Sequence, residues 1–162
     1  MPLTRIRELY VAELSELYEA EEEILRMLPL MASRACAPAL RQIFEDHYRD
    51  TRGHIGRLAT ICEQLDERRR PTAAPAIRGL AEEARLRQAA LERGELLDLA
   101  LIDGGRRIEH YEIAAYTAVA GYAERLGHRD AAALLLATLD EERRADNQLE
   151  RLLPASTRLT AA

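Results

Sequence analysis

Apolar residues recur at intervals of three and four along four long stretches of the chain, and each stripe is interrupted near mid-length by acid or histidine. The first stripe is Leu14, Leu17, Glu21, Ile24 and Leu28. The second is Leu40, Phe44, His47, Thr51, His54, Leu58 and Ile61, with Asp50 on the same side. The third is Leu97, Leu101, Ile108, Glu112, Ala115 and Val119, and the fourth Leu135, Thr138, Glu142, Asp146 and Leu149. Such spacing places each set on one helix face, the face that turns inward. No segment alternates with period two among β-branched residues, so strands are not expected.

The pattern predicts one all-α domain over residues 1–162, with helices over roughly 4–34, 38–65, 76–93, 96–126 and 129–153. Thr4 suits a helix N-cap, Pro38 a first-turn position, and Pro154 a stop. Pro29 is expected to kink the first helix or end its regular part. Asp66 to Pro75 reads as a charged, proline-punctuated link, Gly94 as the end of the short helix, and the tail after Ala155 as frayed. The stretch between the second and third stripes far exceeds what a hairpin turn needs. Its length matches a crossover running along a bundle, which gives two antiparallel hairpins in a four-helix bundle. Gly53 and Gly56 beside His54 suggest a close approach of backbone or ligand; Gly104 and Gly105 fall in the first half of the fourth helix.

Counting along the helices brings the interruptions together. Glu21 precedes a turn at Cys36 by 15 residues, and Asp50 follows it by 14. Glu112 precedes a turn at Gly127 by 15, and Glu142 follows it by 15. At about 1.5 Å per residue, all four acids lie roughly 22 Å from their own turn, at one level of two matching hairpins. A lone buried carboxylate costs several kcal/mol unless it is paired, protonated or bound to metal. Four at one level point to a bound cation. Each hairpin then supplies one Glu from its first helix and a pair four apart from its second: Asp50 with His54, and Glu142 with Asp146. Glu109 lies one turn before Glu112 and His47 one turn before Asp50. Both His47 and His54 lie on the stripe, and rotating the helix by a third of a turn exchanges them. His110 and His128 read as surface or helix-end residues. Tyr18, Tyr111 and Tyr116 flank the acids, placed either to hydrogen-bond ligand carboxylates or simply to fill space.

Composition narrows the partners. The net charge of −5 disfavours nucleic acid and suits a protein that attracts cations. All 23 basic residues are Arg, and the run Arg68 to Arg70 reads as a solvated helix end. No stretch is apolar for long enough to span a bilayer, and the N-terminus lacks an apolar signal core. Cys36 and Cys62 fall about 39 Å apart along a helix axis, too far to bridge. Reduced thiols and a cytoplasmic location are the expectation.

At these residues the chain resembles the YciF/YciE family of the ferritin-like superfamily, associated with bacterial stress responses. Tyr18-Glu19-Ala20-Glu21, His47-Tyr48-Arg49-Asp50-Thr51 followed by His54 and Arg57-Leu58, Ile108 to Tyr116, and Asp140 to Asp146 carry the resemblance. It implies a ferritin-like bundle, a homodimer, and a dinuclear iron or manganese site. The implied ligands are Glu21, Asp50, His54, Glu109 or Glu112, Glu142 and Asp146. Asp50 and Asp146 depart from the Glu and His expected of such sites, and an oxygen-rich set leans towards manganese or weakly held iron. The functional expectation is stress or redox protection with peroxide or oxygen as the small partner. The alternative is a non-enzymatic helical stress or interaction protein whose site has become metal-free.

Overall fold

A computed structural model describes residues 5–65 and 72–154. It contains α1 (Ile6–Arg34), α2 (Pro38–Gln64), α3 (Pro75–Ala89), α4 (Glu95–Arg125) and α5 (Arg129–Leu152), with no strand among the described residues. The expected N-cap at Thr4, the segment Asp66 to Pro71 with its arginine run, and the tail after Pro154 lie outside the described residues.

Helices α1 and α2 form one hairpin and α4 and α5 the other; α1 also packs on α4, and α2 on α5. Every such pair is antiparallel. Asp98 at the start of α4 accepts hydrogen bonds from the backbone N–H groups of Cys36 and Ala37, just past the end of α1, both at 2.8 Å. Midway, Tyr116 of α4 hydrogen-bonds Glu21 of α1. Helix α2 therefore ends opposite the end where α4 begins. The connection runs the length of the bundle and carries α3, which packs on α4 and α1. The fold is an all-α ferritin-like four-helix bundle of two antiparallel hairpins with a long crossover bearing an extra short helix.

Local chemistry sets the ends. The N–H of Arg5 donates to the Glu8 carboxylate at 3.2 Å, which closes the start of α1. Asp98 caps the first amides leading into α2 as a charged acceptor. The α4–α5 turn passes through Gly127 at φ 79°, where His128 N–H reaches Ala123 O at 2.9 Å and Gly127 N–H reaches Glu124 O at 3.0 Å. At three places the structure refines local expectations. Helix α1 continues through Pro29, which is exposed, so this residue does not end it. Helix α3 stops at Ala89, and Gly94 instead precedes α4 at φ 155°, a conformation open to glycine. Gly53 and Gly56 have no atom within 4 Å of a would-be side chain, so nothing approaches them closely. Gly105 does meet crowding: a Cβ there would lie 3.0 Å from Leu149 Cδ1 and 3.4 Å from Phe44 Cε1.

The core is split in two. One apolar block, around Ile24, Leu28, Met31, Leu40, Phe44 and Leu101, fills the end with the α1–α2 turn. The other, around Tyr10, Leu14, Leu58, Ile61, Tyr116 and Leu135, fills the opposite end. A buried polar belt lies between them.

Candidate metal centre

The four inward stripes deliver that belt. Helix α1 contributes Glu21, α4 contributes Glu109 and Glu112 one turn apart, α5 contributes Glu142, and α2 contributes His47 and His54 two turns apart. Glu21, His54, Glu112 and Glu142 are 0% exposed, and Glu109 and His47 only 3% and 4%. His54 Nδ1 lies 2.9 Å from Glu142 Oε1 and 3.3 Å from Glu21 Oε1. His47 Nε2 lies 3.4 Å from Glu109 Oε1 and 3.8 Å from Glu142 Oε2. Two groups of potential ligand atoms result, each within 4.8 Å: His47, Glu109, Glu112 and Glu142, and Glu21, His54 and Glu142. Glu142 belongs to both and faces each with a different oxygen.

Most of these atoms have no hydrogen-bond partner. Both oxygens of Glu112, both of Glu142, Oε2 of Glu21 and of Glu109, Nε2 of His47 and Nδ1 of His54 are buried without a hydrogen bond, although the histidine nitrogens stand close to carboxylates. Native interiors satisfy the large majority of buried polar atoms, so a concentration of this kind marks a site built to receive something. Carboxylates and imidazoles converging from four helices suit hard or borderline divalent cations. Four carboxylates carry the charge that two such ions would neutralise. The residues therefore fit a dinuclear centre.

Electrostatics without an ion show the same strain. Burial, and then the Glu142 charge, push the Glu109 and Glu112 carboxyls well above their ordinary 4.5. Burial also raises Glu21, only partly offset by His54 and Tyr116. Glu142 is pulled below its usual range: His54 and His47 outweigh the opposing effect of burial. His54 is disfavoured as a cation by burial, yet the facing carboxylates of Glu142 and Glu21 raise it to about 11. A proton on His54 thus stands in for part of the positive charge that a metal would bring.

Surrounding groups hold the ligands in place. His54 Nε2 lies 2.8 Å from Glu141 Oε2, and Arg57 grips both oxygens of Glu141 at 2.6 and 2.9 Å. Hydrogen bonding to Arg57 keeps the Glu141 carboxyl below its ordinary range, so it accepts only, and the Nε2 proton of His54 must be the donor. That leaves His54 Nδ1 aimed at Glu21 and Glu142, the arrangement by which an outer carboxylate orients a metal-binding imidazole. Tyr116 donates its hydroxyl to Glu21. Tyr18 and Tyr111 pack against the two apolar blocks.

Two of the residues expected as ligands lie elsewhere. Asp50 is exposed. The buried seam of α2 passes through Thr51, and one residue rotates a helix position by about 100°, which turns Asp50 out. His47 takes its place. Asp146 is held by Arg106 at 2.7 Å and lies 3.3 Å from the exposed His110, because the seam of α5 runs from Glu142 through Ala145 to Leu149. The other expected residues, Glu21, His54, Glu109, Glu112 and Glu142, converge. His47 was on the stripe and visible as a candidate. Glu141 and Arg57 were not, although they stand three and four residues from stripe positions. His128 stacks on Tyr10 at the far end, ring centroids 5.9 Å apart.

Comparison with known proteins accords with this architecture. The chain is 36% identical to Protein YciF of Escherichia coli (strain K12) over 153 residues, covering 94% of this chain and 92% of that one. The crystal structure of the E. coli stress protein YciF superposes with a TM-score of 0.89, covering 93% of this chain and 95% of that one. YcfI of Rhodopseudomonas palustris, described as a candidate structural protein, gives 0.90 at 31% identity, covering 93% and 96%. Residues 5–162 match the family described as Domain of unknown function (DUF892). With the match spanning nearly its whole length, the chain belongs to the DUF892 family and is a YciF-like member of it.

Proposed function

We propose that this protein is a ferritin-like metal-binding protein that holds two iron or manganese ions and serves stress or redox protection. One observation carries the proposal: four buried carboxylates and two buried histidines from four helices direct unpaired ligand atoms at one another. Glu109, Glu112 and His47 would hold one ion, Glu21 and His54 the other, with Glu142 between them. Bound there, the metals would supply Lewis acidity and one-electron chemistry towards peroxide or oxygen. The protein's own contribution is a buried setting, a carboxylate that orients the His54 ring, and Tyr116 holding Glu21 in place. A homodimer in the cytoplasm is the setting that we propose for it.

Elemental analysis tests the reading. Parent protein and the Glu112→Ala variant are reconstituted anaerobically with iron or manganese and desalted. Near two metals per chain in the parent and few in the folded variant is the expected result; equal metal content in both would rule out this site. One observation favours a second reading, a metal-free structural protein: His54 can balance Glu142 and Glu21 as a cation. Chelator discriminates, since a metal-held bundle loses melting temperature when stripped and a metal-free one does not.

A further inference from the structure

A groove of about 670 Å³ opens between α1 and α2, floored by Leu28, Ala32 and Phe44 and rimmed by Arg41, Arg49 and Arg93. Beneath it lies a second cavity of about 10 Å³, room for roughly one water molecule. Leu28 and Phe44 line both, so these two side chains, 4% and 2% exposed, form the wall between them. The inner cavity reaches His47 and Glu109 of the cluster. Its remaining lining is Ile24, Met27, Met31, Ile108 and the bare backbone of Gly105.

We propose that this groove and inner cavity form the access route to the cluster, gated by Phe44 and Leu28 and selective for a small uncharged molecule. The proposal rests on the metal-centre reading and adds the path by which its small partner arrives. An ion passing the Phe44–Leu28 wall into so apolar a cavity would lose its hydration with little to replace it, whereas dioxygen has almost none to lose and hydrogen peroxide, though it gives up hydrogen bonds to water, has no charge to desolvate. Gly105 keeps the cavity open. A methyl group there would stand 3.0 Å from Leu149 Cδ1, 3.4 Å from Phe44 Cε1 and 3.8 Å from Met31 Cε, taking up the space through which a molecule would pass.

The test compares the parent with Phe44→Ala, Gly105→Ala and Leu58→Ala, the last removing a comparable side chain from the opposite apolar block. Metal content after iron loading is measured first, then nitric oxide association with the ferrous protein by stopped-flow absorbance. Equal metal content is expected throughout, with association several-fold faster in Phe44→Ala, several-fold slower in Gly105→Ala, and unchanged in Leu58→Ala. Loosening alone would move all three the same way. Parental rates in both route variants, or Leu58→Ala matching Phe44→Ala, would overturn the route. Phe44→Leu replaces the alanine variant if that one fails to fold.

A second readout needs no metal. Hydrogen peroxide transfers one oxygen atom to a methionine sulfur and leaves as water. In metal-free protein, sulfoxide at Met31, 3% exposed, should form faster in Phe44→Ala and slower in Gly105→Ala. Should the parent bind no metal, the proposed function falls and this measurement still decides the route; an unaltered Met31 rate in both variants would refute it.

Discussion

Replacing Glu112 by Gln should change sign with metal. Glu112 is fully buried, neither oxygen has a hydrogen-bond partner, and its carboxyl is pushed well above 4.5 by burial and by Glu142. A folded chain that holds this carboxyl's proton more tightly than the unfolded chain does loses stability as pH rises above 4.5. Gln keeps the shape and needs no proton, so the chelator-treated variant should be more stable than the chelator-treated parent by about 1–2 kcal/mol, roughly 2–8 °C in melting temperature for a domain of this size. With manganese or ferrous iron the order should reverse. A ligand at a hundred times its dissociation constant stabilises the parent by about 2.7 kcal/mol, and the variant forfeits that gain. The pH dependence follows from the same shift. A carboxyl whose folded pKa is raised contributes stability fully below 4.5, and that contribution is lost as pH climbs through the raised value. The chelated parent should therefore weaken with rising pH, and the variant should weaken less. Thermal unfolding by circular dichroism, with chelator and with metal, checks all three. A chelated Glu112→Gln protein less stable than the chelated parent would refute the reasoning about buried charge.

Further consequences follow from the surroundings of the site. Asp50→Ala should leave metal content unaltered and stability within about 0.5 kcal/mol, because the side chain is exposed; elemental analysis and a urea melt check this. Glu141→Gln removes the charged acceptor from His54 and should weaken metal affinity by about 10–100-fold while leaving the fold intact, as read by competitive titration against a chelating dye. Asp98→Ala deletes two 2.8 Å hydrogen bonds to the α1–α2 turn and should cost about 1–3 kcal/mol in urea unfolding, with metal stoichiometry unchanged in the folded fraction.

The sequence alone determined the architecture, because helical periodicity is a local property. Stripes spaced by three and four marked the faces that become α1, α2, α4 and α5, and the long stretch between the second and third required a crossover. Glu21, His54, Glu109, Glu112 and Glu142 were legible as an acid and histidine belt, since each interrupts an otherwise apolar face or adjoins such an interruption. Only the tertiary structure decided which neighbours share that face. Counting residues from the turns ranked Asp50 as a ligand, but depth along a bundle says nothing of rotation about a helix axis. The packing of α2 against α1 and α5 chose the seam through His47, Thr51 and His54, and that of α5 chose Ala145 over Asp146. Pairing across helices was equally invisible: Glu141 with Arg57 and His54, Tyr116 with Glu21, and Asp98 with the turn at Cys36 join residues 61 to 95 positions apart. Those partners are set by how four helices rotate to bury two apolar blocks, and the polar belt takes its geometry from that rotation.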